Sequence, residues 1–435
     1  MGEKITGLTV TQGTAMYVGA VLGTGVIAVP ALAAQVAGPA SLLAWLCLVM
    51  VSVPLAATFA ALGARFPDAG GVSTYARLAF GERAAAVVGW CFFFAVPMGT
   101  TASALFAGSY VAEAVGGGRF TQVGTAVVLM SLVASTNRAG LRASGRVQCL
   151  LSGLLLLLVF GAVLLSAPMV DADNLEPFAP NGWTAVGSAA ALLVWTFAGW
   201  EAVTHLAQEF GKPQRDVPRA VGCAVAIVAV LYLAVAFATV AVLGSDADTH
   251  APLGELLSRA LGGDLKVFAA IAAVLLTAGS MNAYVAGGAK LGAALSRDGA
   301  FPRRLAVGSV RGEVPRRSLA LLVGLSFAVL AAVVLSGVGL KLLVLLTTGQ
   351  FVAVYLIGAA AAVRLLPRRG KARYTAVFAL AGVSVLLVVS GAVMVLPGLI
   401  AVVALLFLRW NRRRRGLLDQ DGNLSSVEVE LRRRA

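Results

Sequence analysis

The sequence predicts an all-α polytopic membrane protein, and three observations carry that expectation. The 435 residues are 59% hydrophobic and only 12% charged, against about 45–50% apolar and about 25% charged for a soluble domain. The apolar residues fall in runs long enough to cross the hydrocarbon layer, which takes about 20 residues at 1.5 Å each. The basic residues sit between those runs, on alternate sides.

Twelve runs can be marked out. The first six are Thr9–Val36, Ala40–Ala64, Ala84–Ala112, Phe120–Ser135, Val147–Ser166 and Trp183–Ala207. The second six are Val217–Leu243, Val267–Leu291, Ser318–Leu335, Val338–Val363, Tyr374–Ser390 and Gly391–Leu408. The last two form one stretch, divided because it exceeds a single crossing of about 17–25 residues; Pro397-Gly398 offers a bend as the alternative. With the N-terminus in the cytoplasm, 30 of the 34 Lys and Arg fall on inner segments. Only Arg119, Arg259, Lys266 and Lys341 fall outside. That bias is the positive-inside pattern, and it places both termini in the cytoplasm of a cell-membrane protein. A transmembrane domain is expected over residues 1–416, with a first repeat at 9–166, a second at 183–363 and two further spans at 374–408. The polar tail at 417–435 is expected to be disordered.

Two spans carry breaks. Gly23-Thr24-Gly25 interrupts the first, and Phe197-Ala198-Gly199-Trp200-Glu201 interrupts the sixth. Glycine lets the backbone leave helical geometry inside a membrane. A carboxylate near the midplane costs about 2.5–3.5 kcal/mol on insertion scales and is retained when it faces a cavity, partner or substrate. A pair of interrupted spans in matching places points to a midplane binding site built on inverted repeats.

Other classes are disfavoured. The net charge of +14 is a topology signal, with a lipid-headgroup contact expected at Arg412–Arg415; no nucleic-acid module is visible. Cys47, Cys91, Cys149 and Cys223 lie in apolar runs and read as small core residues, with no metal set or cofactor motif. Residues 1–13 do not form a cleavable signal sequence. Met1-Gly2 with Thr6 matches the loose myristoylation pattern, which a polytopic chain does not need. The two histidines, His205 and His250, do not form a zinc-protease pair, and no phosphate-loop motif occurs, so neither an enzyme nor an ATP-driven pump is expected.

Four motifs in order resemble the amino acid–polyamine–organocation transporter superfamily. They are Gly23-Thr24-Gly25-Val26, Pro67-Asp68-Ala69-Gly70-Gly71, Phe197-Ala198-Gly199-Trp200-Glu201 and Arg297-Asp298-Gly299-Ala300-Phe301-Pro302. Leu22–Ala33, Gly70-Gly71-Val72, Glu201–Phe210 and Arg215–Ala220 are similar to bacterial exporters of methionine and branched-chain amino acids. The resemblance implies a LeuT-type fold with 12 transmembrane helices, a 5+5 inverted repeat and broken helices 1 and 6. It also implies secondary transport of neutral apolar amino acids; the outward direction comes from the resemblance alone. Several relatives carry a lysine in span five in place of a sodium ion. The corresponding position here is about Leu155, and the span has no lysine.

A zwitterion needs partners for a carboxylate, an ammonium and a side chain. Gly23, Thr24 and Gly25 can offer backbone N–H groups and a hydroxyl to the carboxylate at a half-helix N-terminus. Freed carbonyls of Phe197, Ala198 and Gly199 can meet the ammonium. The competing reading is that these small residues serve close helix packing. Trp195, six residues before Glu201, stands where the family places an aromatic gate. Asn282 and Tyr284 on span eight are candidate pocket neighbours, while Pro97 and Met98 on span three are assigned to packing. Glu201, His205 and Glu209 recur every four residues and would share a face of an α-helix, which suggests a proton path. Static hydrogen bonding is the alternative. The expected partners are an amino acid substrate, protons and membrane lipid. An uptake permease or exchanger, or a sensor that binds without turnover, remains open.

Overall fold

The computed structural model describes residues 7–23, 25–193, 196, 199–244, 255–257, 259, 266–390, 394–411 and 413. The described residues form a helical bundle with no β-sheet; one isolated bridge joins Leu8 to Phe210. Nine described helical stretches are long and apolar enough to cross a membrane.

The chain begins with a capping box. Gln12 N donates to Thr9 Oγ1 at 3.2 Å and Thr9 N to Gln12 Oε1 at 3.1 Å, satisfying two end donors. Helix α1 follows over Val10–Leu22. It stops at Gly23, whose φ of 39° an L side chain rarely adopts, and α2 starts at Gly25 and runs Gly25–Ala37. Each half spans about 20 Å, so neither crosses the hydrocarbon layer alone.

Helix α3 covers Ser41–Arg65, the short amphipathic α4 Val72–Phe80 and α5 Glu82–Ala114. Gly81, at φ 89°, turns the chain between α4 and α5. Helix α6 spans Arg119–Arg138 and α7 Leu141–Ser166. The sixth expected span is then reduced to α8, Thr184–Leu193, about 15 Å long. Past the interruption, Ala202–Glu209 winds as a 3-10 helix. Eight residues in that tight form are uncommon, because side chains eclipse every third residue.

The second half supplies α9, Pro213–Ala238, extended by a π turn at Thr239–Leu243, and α10, Lys266–Arg297. Helix α11 covers Arg316–Ser336, α12 Leu340–Leu365, α13 Lys371–Ser390 and α14 Val395–Asn411. Two described helices, α13 and α14, occupy the last apolar stretch, and residues 391–393 between them lie outside the described residues. Pro397-Gly398 marks no turn; Pro397 lies in the first turn of α14, where a missing N–H costs nothing.

Burial sorts the helices. The central stretches of α5 and α10 are 67% and 72% buried, and that of α13 only 17%. Helices α5 and α10 therefore form the middle of the bundle with α1, whose residues Met16–Leu22 are all buried, while α13 presents most of its surface outward. A helix apolar on every side is a core helix or a lipid-facing one, and the bundle has both.

Candidate functional site

The two interruptions meet. Gly199 has φ 138°, and its Cα faces the α1 backbone so closely that a Cβ would lie 2.7 Å from Val21 Cα and 2.8 Å from Ala20 C. Only glycine supplies both the dihedral and the approach. Tyr232, 2% exposed on α9, ties the breaks together. Its hydroxyl lies 2.9 Å from Val21 O and 3.1 Å from Thr196 O. A single O–H donates to one of these carbonyls at a time, so each is free for part of the time to accept from something else.

Beside this junction lies a narrow cavity of about 50 Å³, tighter than the usual small-molecule site of about 300–1,000 Å³. Ala20, Val21 and Gly23 line it from the first break and Thr196 from the second. Helices α5, α10 and α12 supply the other walls, among them Val96, Gly99, Met281, Tyr284, Thr347 and Phe351. No acid, base or histidine occurs among the described lining residues.

Glu201 sits behind this wall, fully buried. Tyr284 Oη donates to its Oε1 at 2.9 Å, and Gly199 N to its Oε2 at 3.1 Å. Tyr355 Oη donates to Oε2 as well, and accepts from Gly199 N at 3.0 Å. The carboxylate thus closes a ring of donors at the second break, and Tyr284 carries that ring to the cavity. Tyr17 and Trp200 pack beside it with ring centres 6.4 Å apart.

Glu201, His205 and Glu209 do not share a face. From Ala202 on, the segment turns three residues per turn instead of 3.6. Four residues therefore rotate the side chain by about 120° instead of about 40°. His205 packs edge-on against Phe92 at 4.4 Å. Its ring nitrogens face the Ala69 and Gly70 backbone outside hydrogen-bond geometry. Glu209 turns to Lys290 of α10, with Oε1 to Nζ at 2.6 Å.

The remaining expected contacts divide. Gly23 and Tyr284 lie at the cavity, and Gly25 opens α2. Thr24, Trp195, Phe197 and Ala198 lie outside the described residues. Asn282 is two positions from Tyr284, about 200° around α10, and joins a different cluster. Its Oδ1 accepts from Asn137 at 3.1 Å and Ser144 at 3.0 Å, and its Nδ2 donates to Gln148 Oε1 at 2.8 Å. In this cluster α7 presents Gln148 to α1 and α10: its Nε2 would lie 3.2 Å from a Cβ on Gly279, and a Cβ on Gly19 would overlap it. A neutral amide therefore bridges helices α1, α7 and α10. The sequence reading missed Gln148, Tyr232 and Tyr355. A polar residue inside an apolar run was the available signal for each.

Outside the spans, the Pro67–Gly71 and Arg297–Pro302 motifs form one cluster. Arg297 donates to both Asp68 oxygens at 3.0 Å, Thr74 to Asp68 at 2.5 Å and the Gly70 amide at 2.8 Å. Arg77 pairs with Asp298 at 2.7 Å. Partial burial alone would raise the Asp68 carboxyl, but the Thr74, Arg297 and Gly70 hydrogen bonds and the Arg297 charge hold it below the usual carboxylate range.

Residues 8–418 match the family model for amino acid permeases. The uncharacterized amino acid permease YecA of Bacillus subtilis is 31% identical over 95% of this chain and 97% of its own length. The L-methionine/branched-chain amino acid exporter YjeH of Escherichia coli is 30% identical over 83% and 87%. The branched-chain amino acid permease BcaP of B. subtilis is 25% identical over 66% and 67%. A Na+-coupled sialic acid symporter, solved substrate-bound and outward-open, superposes with a TM-score of 0.57 at 12% identity, covering 88% and 89%. That likeness fixes the fold as the LeuT type.

Proposed function

This chain belongs to the amino acid permease family, and from that premise we propose that it exports methionine, leucine, isoleucine and valine across the cell membrane by alternating access. One observation carries the reading. The cavity where the two interruptions meet is bordered by helix ends and freed carbonyls but by no described charged side chain. In it the substrate carboxylate takes the first amides of α2, from Gly25, where the helix dipole favours an anion. Thr24 is assigned to add its hydroxyl to the carboxylate, and the ammonium is assigned the carbonyls of Phe197, Ala198 and Gly199 at the second break. An apolar side chain lies among Val96, Met281 and Phe351, and Trp195 is assigned the role of aromatic gate. An arginine or glutamate side chain would meet no countercharge there, and burying a lone charge is costly.

Twelve crossings, spans 1–5 and 6–10 as inverted copies and cytoplasmic termini complete this reading. The basic-residue bias supports the orientation. Export is supported by the likeness to YjeH, and uptake of the same substrates, the second reading, by the likeness to BcaP. Proton antiport is assigned to Glu201, the buried carboxyl that links the second break to Tyr284 at the cavity. The test is efflux from proteoliposomes loaded with labelled methionine, leucine, arginine or glutamate. Efflux of the first two, accelerated by an inward proton gradient, is expected. Efflux of arginine or glutamate at equal rates would overturn the substrate class, and indifference to the gradient would overturn the coupling.

A further inference from the structure

Six cations gather where four helices end. Arg65 closes α3 and Arg364 lies in the last turn of α12. Arg368 and Arg369 sit in the connection that follows, and Lys371 and Arg373 open α13. Arg373 is half-buried and the other five are exposed. Among the described residues none of the six belongs to an ion pair, and the sequence holds no acid from Val314 to Leu418. Asp68, the acid nearest Arg65 along the chain, is taken by Arg297, Thr74 and Gly70. Glu82, at the start of α5, is followed at once by Arg83.

Packing sets the six at one level. A Cβ on Gly358 of α12 would lie 2.9 Å from both Phe59 of α3 and Val72 of α4, and one on Gly382 of α13 would lie 2.9 Å from Val51. The contact nearer the α12–α13 connection is also the one nearer the end of α3. Arg65 and Arg364 therefore both lie about 9 Å past the Phe59–Gly358 contact. The Arg364 guanidinium stands 5.6 Å from the Phe80 ring centre at the end of α4. Gly370 N donates to Pro367 O at 3.1 Å and Arg373 N to Gly370 O at 3.0 Å, which folds the connection tightly around Arg368 and Arg369. Above the cations, Tyr374, Val377 and Phe378 are 64%, 48% and 71% exposed and share one face of α13. Cations beneath an exposed aromatic strip mark the headgroup level of a membrane, on the side that the basic-residue bias assigns to the cytoplasm.

We propose that this place binds an anionic phospholipid of the inner leaflet, its phosphate among Arg364, Arg368, Arg369 and Lys371 and an acyl chain along Tyr374, Val377 and Phe378. Guanidinium groups without carboxylate partners have their N–H forks free for phosphate oxygens. The bound headgroup relieves the mutual repulsion of the six cations and so draws the ends of α3, α4, α12 and α13 together. Topology alone requires only that cations stand somewhere on the inner side. It does not require six at four helix ends, without an acid, under an exposed aromatic strip. The site is also distinct from the Arg412–Arg415 run, because Asn411 donates to Gly299 O at 2.7 Å and so leads that run to the end of α10.

The test is native mass spectrometry of the full chain in detergent, titrated with phosphatidylglycerol or with phosphatidylcholine of the same acyl chains. The unaltered chain should retain phosphatidylglycerol in preference. Arg368→Gln/Arg369→Gln should weaken that retention by about thirtyfold. Arg303→Gln/Arg304→Gln, which removes two exposed cations from another inner connection, should leave it unchanged. Equal losses in the two double variants, or equal retention of the two lipids by the unaltered chain, overturn the site. Glycerol phosphate carries the same anion without acyl chains and should not displace the lipid. Displacement at equal concentration would mean a site for free phosphate esters and overturns the lipid assignment. If the Arg368→Gln/Arg369→Gln variant does not fold, the unfolding midpoint of the unaltered chain decides. A midpoint raised by phosphatidylglycerol above its value in phosphatidylcholine supports the site, and equal midpoints overturn it.

Discussion

At Gly199 the cost of a single methyl group can be stated. Its φ of 138° carries a strain of about 1–3 kcal/mol for any other residue, and a Cβ would strike the α1 backbone at Ala20 and Val21. Gly199→Ala should therefore push α1 and the second break apart, lowering the unfolding midpoint in detergent and abolishing substrate binding. A variant that binds normally would mean the close approach is dispensable. Glu201 separates two roles that its surroundings combine. Glu201→Gln keeps an oxygen to accept from the Tyr355 hydroxyl and the Gly199 amide and turns an NH2 toward the Tyr284 hydroxyl, which can accept from it, but cannot titrate. Exchange of internal for external methionine should persist in this variant while flux driven by a pH gradient is lost. Unaltered gradient dependence would assign Glu201 a purely structural role, as a cap on the broken helix.

At the scale of elements, the breaks were legible because glycine inside a long apolar run has few other uses, and the structure interrupts the chain at Gly23 and around Gly199. The winding after the second break was not. Nothing in Ala202–Glu209 distinguishes 3.0 from 3.6 residues per turn; packing decides it, with Gly287 of α10 pressed so near Ala202 O that no side chain fits between them. The four-residue spacing of Glu201, His205 and Glu209 was accordingly read as one face when it is three. Tyr232 and Tyr355 escaped for a related reason, since a tyrosine in an apolar run looks like packing until the carbonyl or carboxylate it reaches is known. The charged cluster that joins α4 to the end of α10 was visible as two motifs but not as one contact. Its pH dependence follows from Asp68. A carboxyl held below its unfolded value stabilises the fold fully above the ordinary carboxylate range of about pH 4. That contribution is lost as pH falls through the lowered value. Asp68→Asn should thus unfold at lower temperature than the unaltered chain at pH 7, and the gap should close in acid below about pH 4. A gap that is constant with pH would mean that Asp68 holds Arg297 by shape and not by charge.

For the whole molecule, helices α5 and α10 hold the middle of the bundle while the two interrupted elements lie against each other beside a small chamber. A continuous helix satisfies its own backbone and has nothing to offer a polar guest inside a membrane; a broken one has end groups in want of partners. The protein fills part of that want itself, with Tyr232 between Val21 and Thr196 and Glu201 on Gly199. What is left faces a chamber with no described charged side chain, suited to a molecule that brings both charges with it and carries none on its side chain. Equilibrium binding of labelled methionine to the purified chain measures this most directly. Saturable binding is expected, displaced by leucine, isoleucine and valine, untouched by arginine and glutamate, and absent in Gly199→Ala. Displacement by arginine or glutamate as readily as by leucine, or full binding in Gly199→Ala, would contradict it.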